Sequence, residues 1–87
     1  MFKKRRGIHI PYNKQGLIYF ICMNANDMPE DVRRKILNLC IEAGKEDYKA
    51  LYELLTNGNK SVLSISLEYH LSEKKLYYMR KNFYEKW

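Results

Sequence analysis

Apolar residues recur along this chain at the three-and-four spacing of helix faces. In residues 61–81, Val62, Ile65 and Tyr69, then Leu71, then Leu76 and Met79 mark two short helices joined by a tight turn. Ser61 and Ser72 each stand just before a periodic segment, where a side-chain oxygen accepts from an orphan first-turn N–H. The second stripe continues through Phe83 to Trp87, which predicts a final helix of about 15 residues, roughly 22 Å long. Trp87 either closes the core or protrudes and seeds a homodimer, and closure of the core is the favoured role.

Upstream, Val32, Ile36, Leu39, Cys40 and Ala43 form another stripe. Asp27 and Glu30 have the spacing of a capping pair before it, Pro29 suits a first turn, and Gly44 supplies a stop. Tyr48, Leu51, Tyr52 and Leu55 predict a further helix, ended by Asn57, Gly58 and Asn59. These two helices form a hairpin that supports the C-terminal pair, because two helices alone bury too little surface. Residues 13–24 admit two descriptions. Their β-branched and aromatic content fits a strand paired with Ile8, His9 and Ile10, whereas Leu17, Phe20, Ile21 and Asn24 fit a helix capped by Asn13. Helix is favoured because the other elements are helical, although Gly16 argues against it. The short segment at Ile8 to Ile10 is extended and ended by Pro11. The fold expected is all-α: a bundle of four to five helices with a C-terminal helix-turn-helix. Residues 1–12 form a basic N-terminal arm, and residues 13–87 form a single helical domain.

Length agrees with one domain, since 87 residues build a core without obligatory staples and leave no room for a second. Cys22 and Cys40 lie in apolar runs and lack the paired spacing of a zinc site, which predicts buried free thiols in a reducing cytosol. The longest apolar run, residues 17–23, falls well short of the roughly 18 to 20 needed to span a bilayer. It is followed by Asn24, Ala25, Asn26 and Asp27 instead of a small-residue cleavage site, so no signal peptide is expected. Charge is segregated. Residues 1–14 carry five bases and no acid, residues 72–87 five bases against two acids, and the stretch between them six bases against eight acids, for a net charge of +6. Positive charge at both ends suits a phosphate-binding surface, while a solubilising tail and a solvated helix face are the bland alternative.

At residues 61–81 the chain resembles the helix-turn-helix of bacterial and phage regulators. The branched residue followed by a small one is Ile65 with Ser66, and the turn, the buried aliphatic and the cap are His70, Leu71 and Ser72. Two positions depart from that family, with Ser66 in place of its usual alanine and His70 in place of its glycine. Histidine is among the residues enriched at positive φ. The ending of the chain and its Lys, Tyr and Asn content also look like small regulators of phages and mobile elements of Gram-positive bacteria.

The resemblance implies sequence-specific binding of double-stranded DNA, with the second helix entering the major groove by its N-terminal turns. Ser72, Glu73, Lys74, Tyr77, Tyr78 and Lys81 lie off the core stripe and are the candidate contacts, with Lys75 and Arg80 beside them for phosphates. Tyr77 and Tyr78 also have an alternative as half-buried packing. Homeodomain-like arms enter the adjacent minor groove, a role that suits Arg5 and Arg6, while Lys3 and Lys4 would meet phosphates. The expected protein is a cytoplasmic, nucleoid-associated transcriptional regulator, with a homodimer as one arrangement. An accessory protein of DNA packaging or recombination is an alternative, as is a helical module that binds and inhibits a host protein. No enzyme, metal or cofactor is expected. His9 and His70 lack partners at ligand or triad spacing, and there is neither a Gly-rich phosphate loop nor a Gly-x-Ser-x-Gly elbow.

Overall fold

The computed structural model describes residues 7–87, so Lys3, Lys4, Arg5 and Arg6 of the expected arm lie outside the described residues. Among the described residues there are five α-helices and no strand: α1 (Tyr12–Met23), α2 (Glu30–Gly44), α3 (Tyr48–Thr56), α4 (Val62–Tyr69) and α5 (Glu73–Lys86). Single turns of 3-10 helix at Ala25–Asp27 and Lys45–Asp47 join α1 to α2 and α2 to α3. The chain is therefore an all-α bundle, and residues 13–24 lie in a helix and its capping residue. Helices α2 and α3 pack along each other, α5 lies against both, α4 rests on α3 and α5, and α1 packs on α3. Ile18, Ile36, Leu51, Ile65, Leu76 and Phe83 come from all five helices and meet in one solvent-free cluster. Burial of each such side chain contributes about 1.5–3 kcal/mol relative to exposure.

The face buried by α1 differs from the expected one. Leu17 and Phe20 are 56% and 60% exposed, and the buried positions are Gln15, Ile18 and Cys22. Apolar residues surround this helix, so periodicity alone does not choose a face. Gln15 occupies a core position because its side-chain amide donates to the carbonyls of Ile8 at 3.3 Å and Ile10 at 3.1 Å. A buried polar group is tolerated when it is hydrogen-bonded in this way. Ile8 is itself buried, so the ordered body begins upstream of residue 13.

Several expected helix ends are also built differently. Asn13 does not cap α1: the helix starts at Tyr12 behind Pro11, whose carbonyl accepts from the Gln15 N–H at 3.0 Å. Asp27 lies in the first 3-10 turn and does not pair with Glu30 across a helix start; Pro29 occupies the N-cap of α2 with no side-chain cap. Glu30 and Asp31 then complement the helix dipole from the first turn. Gly44 is the last residue of α2, and the positive φ expected of a glycine stop falls on Lys45, at 51°. The shift follows from the 3-10 turn, which starts directly behind Gly44 and leaves that glycine buried beside Leu51 and Met79. In α3 the buried face is Ala50, Leu51, Leu54 and Leu55, with Tyr48 and Tyr52 half-buried at its edge. Trp87 is also half-buried. Its ring lies 6.0 Å from that of Phe83, and the Lys35 ammonium sits 4.1 Å from its centroid.

Ile65 links α4 to the rest of the core, and its replacement measures that link. Ile65→Asp is expected to abolish the cooperative thermal transition by burying an unpaired charge. Ile65→Ala should lower stability by about 2–5 kcal/mol, read as a shift in the urea midpoint.

Candidate nucleic-acid interface

Helices α4 and α5 and the turn between them have the geometry that residues 61–81 anticipate. The Ser61 side chain accepts from the Ser64 N–H at 3.1 Å, and the Ser72 side chain accepts from the Lys75 N–H at 3.1 Å. Each serine thus satisfies an otherwise orphaned donor at its helix start. Between the helices His70 adopts the left-handed conformation, with φ 57° and ψ 42°. Its N–H and that of Leu71 both donate to the Ser66 carbonyl, the latter at 3.0 Å, which is the pattern of a helix ended by a left-handed residue. The reversal lets Ile65 and Leu76 reach the same core.

Ser66 has a role that its sequence position does not announce. Its hydroxyl donates to the Leu71 carbonyl, so residue 66 holds residue 71 by both main-chain groups. An alanine here would leave that carbonyl without this partner. The departure from the family pattern is therefore a brace across the turn, visible only once residues 66 and 71 are brought together.

Polar contacts fix both ends of α4 to α3. Lys60, just before α4, forms ion pairs with Glu53 and with Glu68, the latter at 2.6 Å, and the Tyr69 hydroxyl donates to Glu53 at 2.6 Å. The Lys60 and Tyr69 hydrogen bonds hold the Glu53 carboxyl below its usual range. Conversely, the bond to Glu53 raises the pKa of the Tyr69 hydroxyl, which keeps it a donor.

The exposed face of α5 carries most of the candidate contacts. Lys74, Tyr78 and the half-buried Lys81 recur at helical spacing with Tyr77 beside them, and Leu76, Met79, Phe83 and Tyr84 occupy the buried face. Tyr77 and Tyr78 are 49% and 62% exposed, so neither belongs to the core. The Arg80 guanidinium lies 5.0 Å from the Tyr77 ring centroid, which steadies the ring at the edge of this face. Glu73 is exposed in the first turn, and Ser72 is occupied as the cap. Lys75 differs from its neighbours. Its ammonium pairs with Asp47 at 2.6 Å, which raises its pKa and ties the start of α5 to the 3-10 turn before α3. Its charge is thus partly neutralised within the fold, whereas Lys74 and Lys81 have no ion pair among the described contacts.

Other chemistry has little material. Cys22 and Cys40 are free and buried, and burial pushes the Cys22 thiol up to about 12, so it is not a thiolate at neutral pH. Among the described residues no group of three or more His, Cys, Asp or Glu side chains is placed to hold a metal ion. No described helix is long and apolar enough to cross a membrane.

Two variants probe this construction. His70→Gly should keep the fold and leave stability equal or higher by about 1 kcal/mol, because glycine enters the left-handed region without a Cβ penalty. His70→Val should lower stability, and urea denaturation of both gives the sign. For Glu53, the lowered pKa means that its contribution is complete above the ordinary carboxylate range, near about 4.3, and is lost as acid takes the pH through the lowered value. Glu53→Gln should therefore reduce stability at neutral pH and flatten the loss seen in wild type on acidification, as followed by thermal denaturation across pH.

No protein-family model, curated protein or solved structure matches the chain.

Proposed function

We propose that this protein binds double-stranded DNA through α4 and α5, with α5 in the major groove, as a small transcriptional regulator of the kind carried by phages and mobile elements. The observation that carries this proposal is the left-handed His70 between two Ser-capped helices, beside a face of α5 on which Lys74, Tyr77 and Tyr78 are exposed and Lys81 is half-buried. A helix held by a buried partner, with Glu73 and Lys74 exposed in its first turn and Tyr77 and Tyr78 exposed beyond them, suits major-groove docking. Lys74 then donates to guanine, Glu73 accepts from a cytosine amino group, and Tyr77 and Tyr78 meet thymine methyls or phosphates. Lys81 and the basic residues Lys3, Lys4, Arg5 and Arg6 add sequence-independent attraction to the phosphates. Such a protein works in the cytoplasm, associated with the nucleoid. It would dimerise to read paired half-sites, with Leu37 and Ile41, both exposed on α2, as the self-contact.

One feature favours a second reading, in which the bundle captures a host protein. A groove of about 360 Å³ is lined by Leu37, Tyr48, Tyr52, Thr56 and Tyr69, and has an apolar floor suited to an inserted side chain.

Selection of bound sequences from a random duplex pool separates these functions. A palindromic consensus is the outcome expected of a dimeric regulator. Enrichment without a palindrome favours monomeric binding, binding without enrichment favours a packaging or recombination accessory, and no binding at low salt rejects the DNA function. If about five phosphates are neutralised, log affinity should fall against log salt with a slope near about −4.5. Lys74→Ala and Tyr77→Ala should lose sequence preference with the fold intact, while Arg5→Ala and Arg6→Ala should weaken all duplexes alike. Equal losses on specific and random duplexes in the α5 variants would remove α5 as the recognition helix.

A further inference from the structure

Helix α1 buries Gln15, Ile18 and Cys22 and turns a second apolar line outward. Asn13, Leu17, Phe20 and Asn24 recur at i, i+4, i+7 and i+11, so they share one side of the helix over about 16 Å. Leu17 and Phe20 stand at the centre of that line and are 56% and 60% exposed. No acid lies in α1, and its one base, Lys14, has no ion pair among the described contacts. The face is thus apolar at its middle, amide-bearing at its ends and free of charge along its line.

We infer that this face binds a second copy of the chain, with the two α1 helices antiparallel about a two-fold axis that passes between residues 18 and 19. The line is symmetric about that point. Reversing one copy sets Leu17 of each chain level with Phe20 of the other, and Asn13 level with Asn24, because the members of each pair lie equally far from the axis. Four apolar side chains then shield one another from water at the centre. The Asn24 amide nitrogen donates to the Phe20 carbonyl at 2.8 Å, which leaves the Asn24 oxygen to accept from the partner's Asn13 amide. A parallel pair would set Asn13 against Asn13 and align the two helix dipoles, whereas the antiparallel pair opposes them. It also brings each Lys14 toward the last turn of the partner helix, which has no base of its own and where the dipole favours a cation. Two such helix faces bury less than about 1,200 Å² in total, the range of weak contacts, so the copies associate only at high concentration. This contact needs no DNA and is separate from the one proposed on α2. Two self-contacts on different helices would join pairs of chains into larger assemblies.

The test uses full chains that carry Leu37→Gln and Ile41→Gln, which remove the α2 contact. Between about 10 μM and 1 mM their apparent mass in sedimentation equilibrium should rise from that of a monomer toward twice that value. Adding Leu17→Gln and Phe20→Gln should abolish the rise and leave the helical circular dichroism unchanged, since both residues are exposed. In a mixture of isotope-labelled and unlabelled chains, nuclear Overhauser contacts between copies should join Leu17 to Phe20 and Asn13 to Asn24. A mass that stays monomeric overturns the inference, and so does a rise that survives the α1 substitutions. Contacts between copies that join Asn13 to Asn13 overturn the antiparallel arrangement. A monomer whose Leu17 and Phe20 resonances shift on addition of phosphatidylglycerol vesicles gives the face to a lipid surface instead. All of these readings are taken without duplex, so they leave the proposed role of α5 to its own tests.

Discussion

The reversal at residues 66–71 is the constraint on which the C-terminal half depends. Ile65 and Leu76 must enter one core from two helices, and only three residues, His70, Leu71 and Ser72, lie between those helices to reverse the chain. His70 takes the left-handed conformation that allows it, and Ser66 secures the result through its carbonyl and its hydroxyl. With the turn held, the outer face of α5 is determined, because its opposite face is committed to Leu76, Met79, Phe83 and Tyr84. The exposure of Lys74, Tyr77 and Tyr78 is thus a consequence of packing elsewhere.

Charge is organised around that geometry. Glu53 collects Lys60 and Tyr69 at the two ends of α4, so the acidic middle of the chain spends part of its charge on fastening the first helix of the pair. Asp47 does the same for the start of α5 through Lys75. These contacts lie at the surface, and each stabilises modestly by itself. Their effect is on orientation: both helices are referred to α3, which is anchored by Leu51, Leu54 and Leu55. Lys74 is exposed one residue before Lys75 and takes no part in these contacts.

Legibility in the sequence varied with how one-sided each helix is. For α5, polar residues fill one side and apolar residues the other, so spacing named Leu76, Met79 and Phe83 as core and the remaining face as free. For α1, apolar residues lie all around, so helical spacing points to Leu17 and Phe20 as core although both face solvent. The capping serines of α4 and α5 were legible because Ser before a periodic run has a single local use. Asn13 and the Asp27 and Glu30 pair had the same local chemistry, but Pro11 and Pro29 took the caps and the short 3-10 turn consumed Asp27.

By itself the sequence determined the helical class, the four helices from α2 to α5, the two serine caps and the segregation of positive charge, all of which depend on residues a few positions apart. Only the tertiary structure decided that Gln15 belongs inside and that Lys75 is paired with Asp47. It also decided that Ser66 braces Leu71 and that the segment before α1 lies against the end of α5. Each of these hydrogen bonds or ion pairs joins groups brought together by the packed core, and a buried polar side chain finds its partner only when that core has formed.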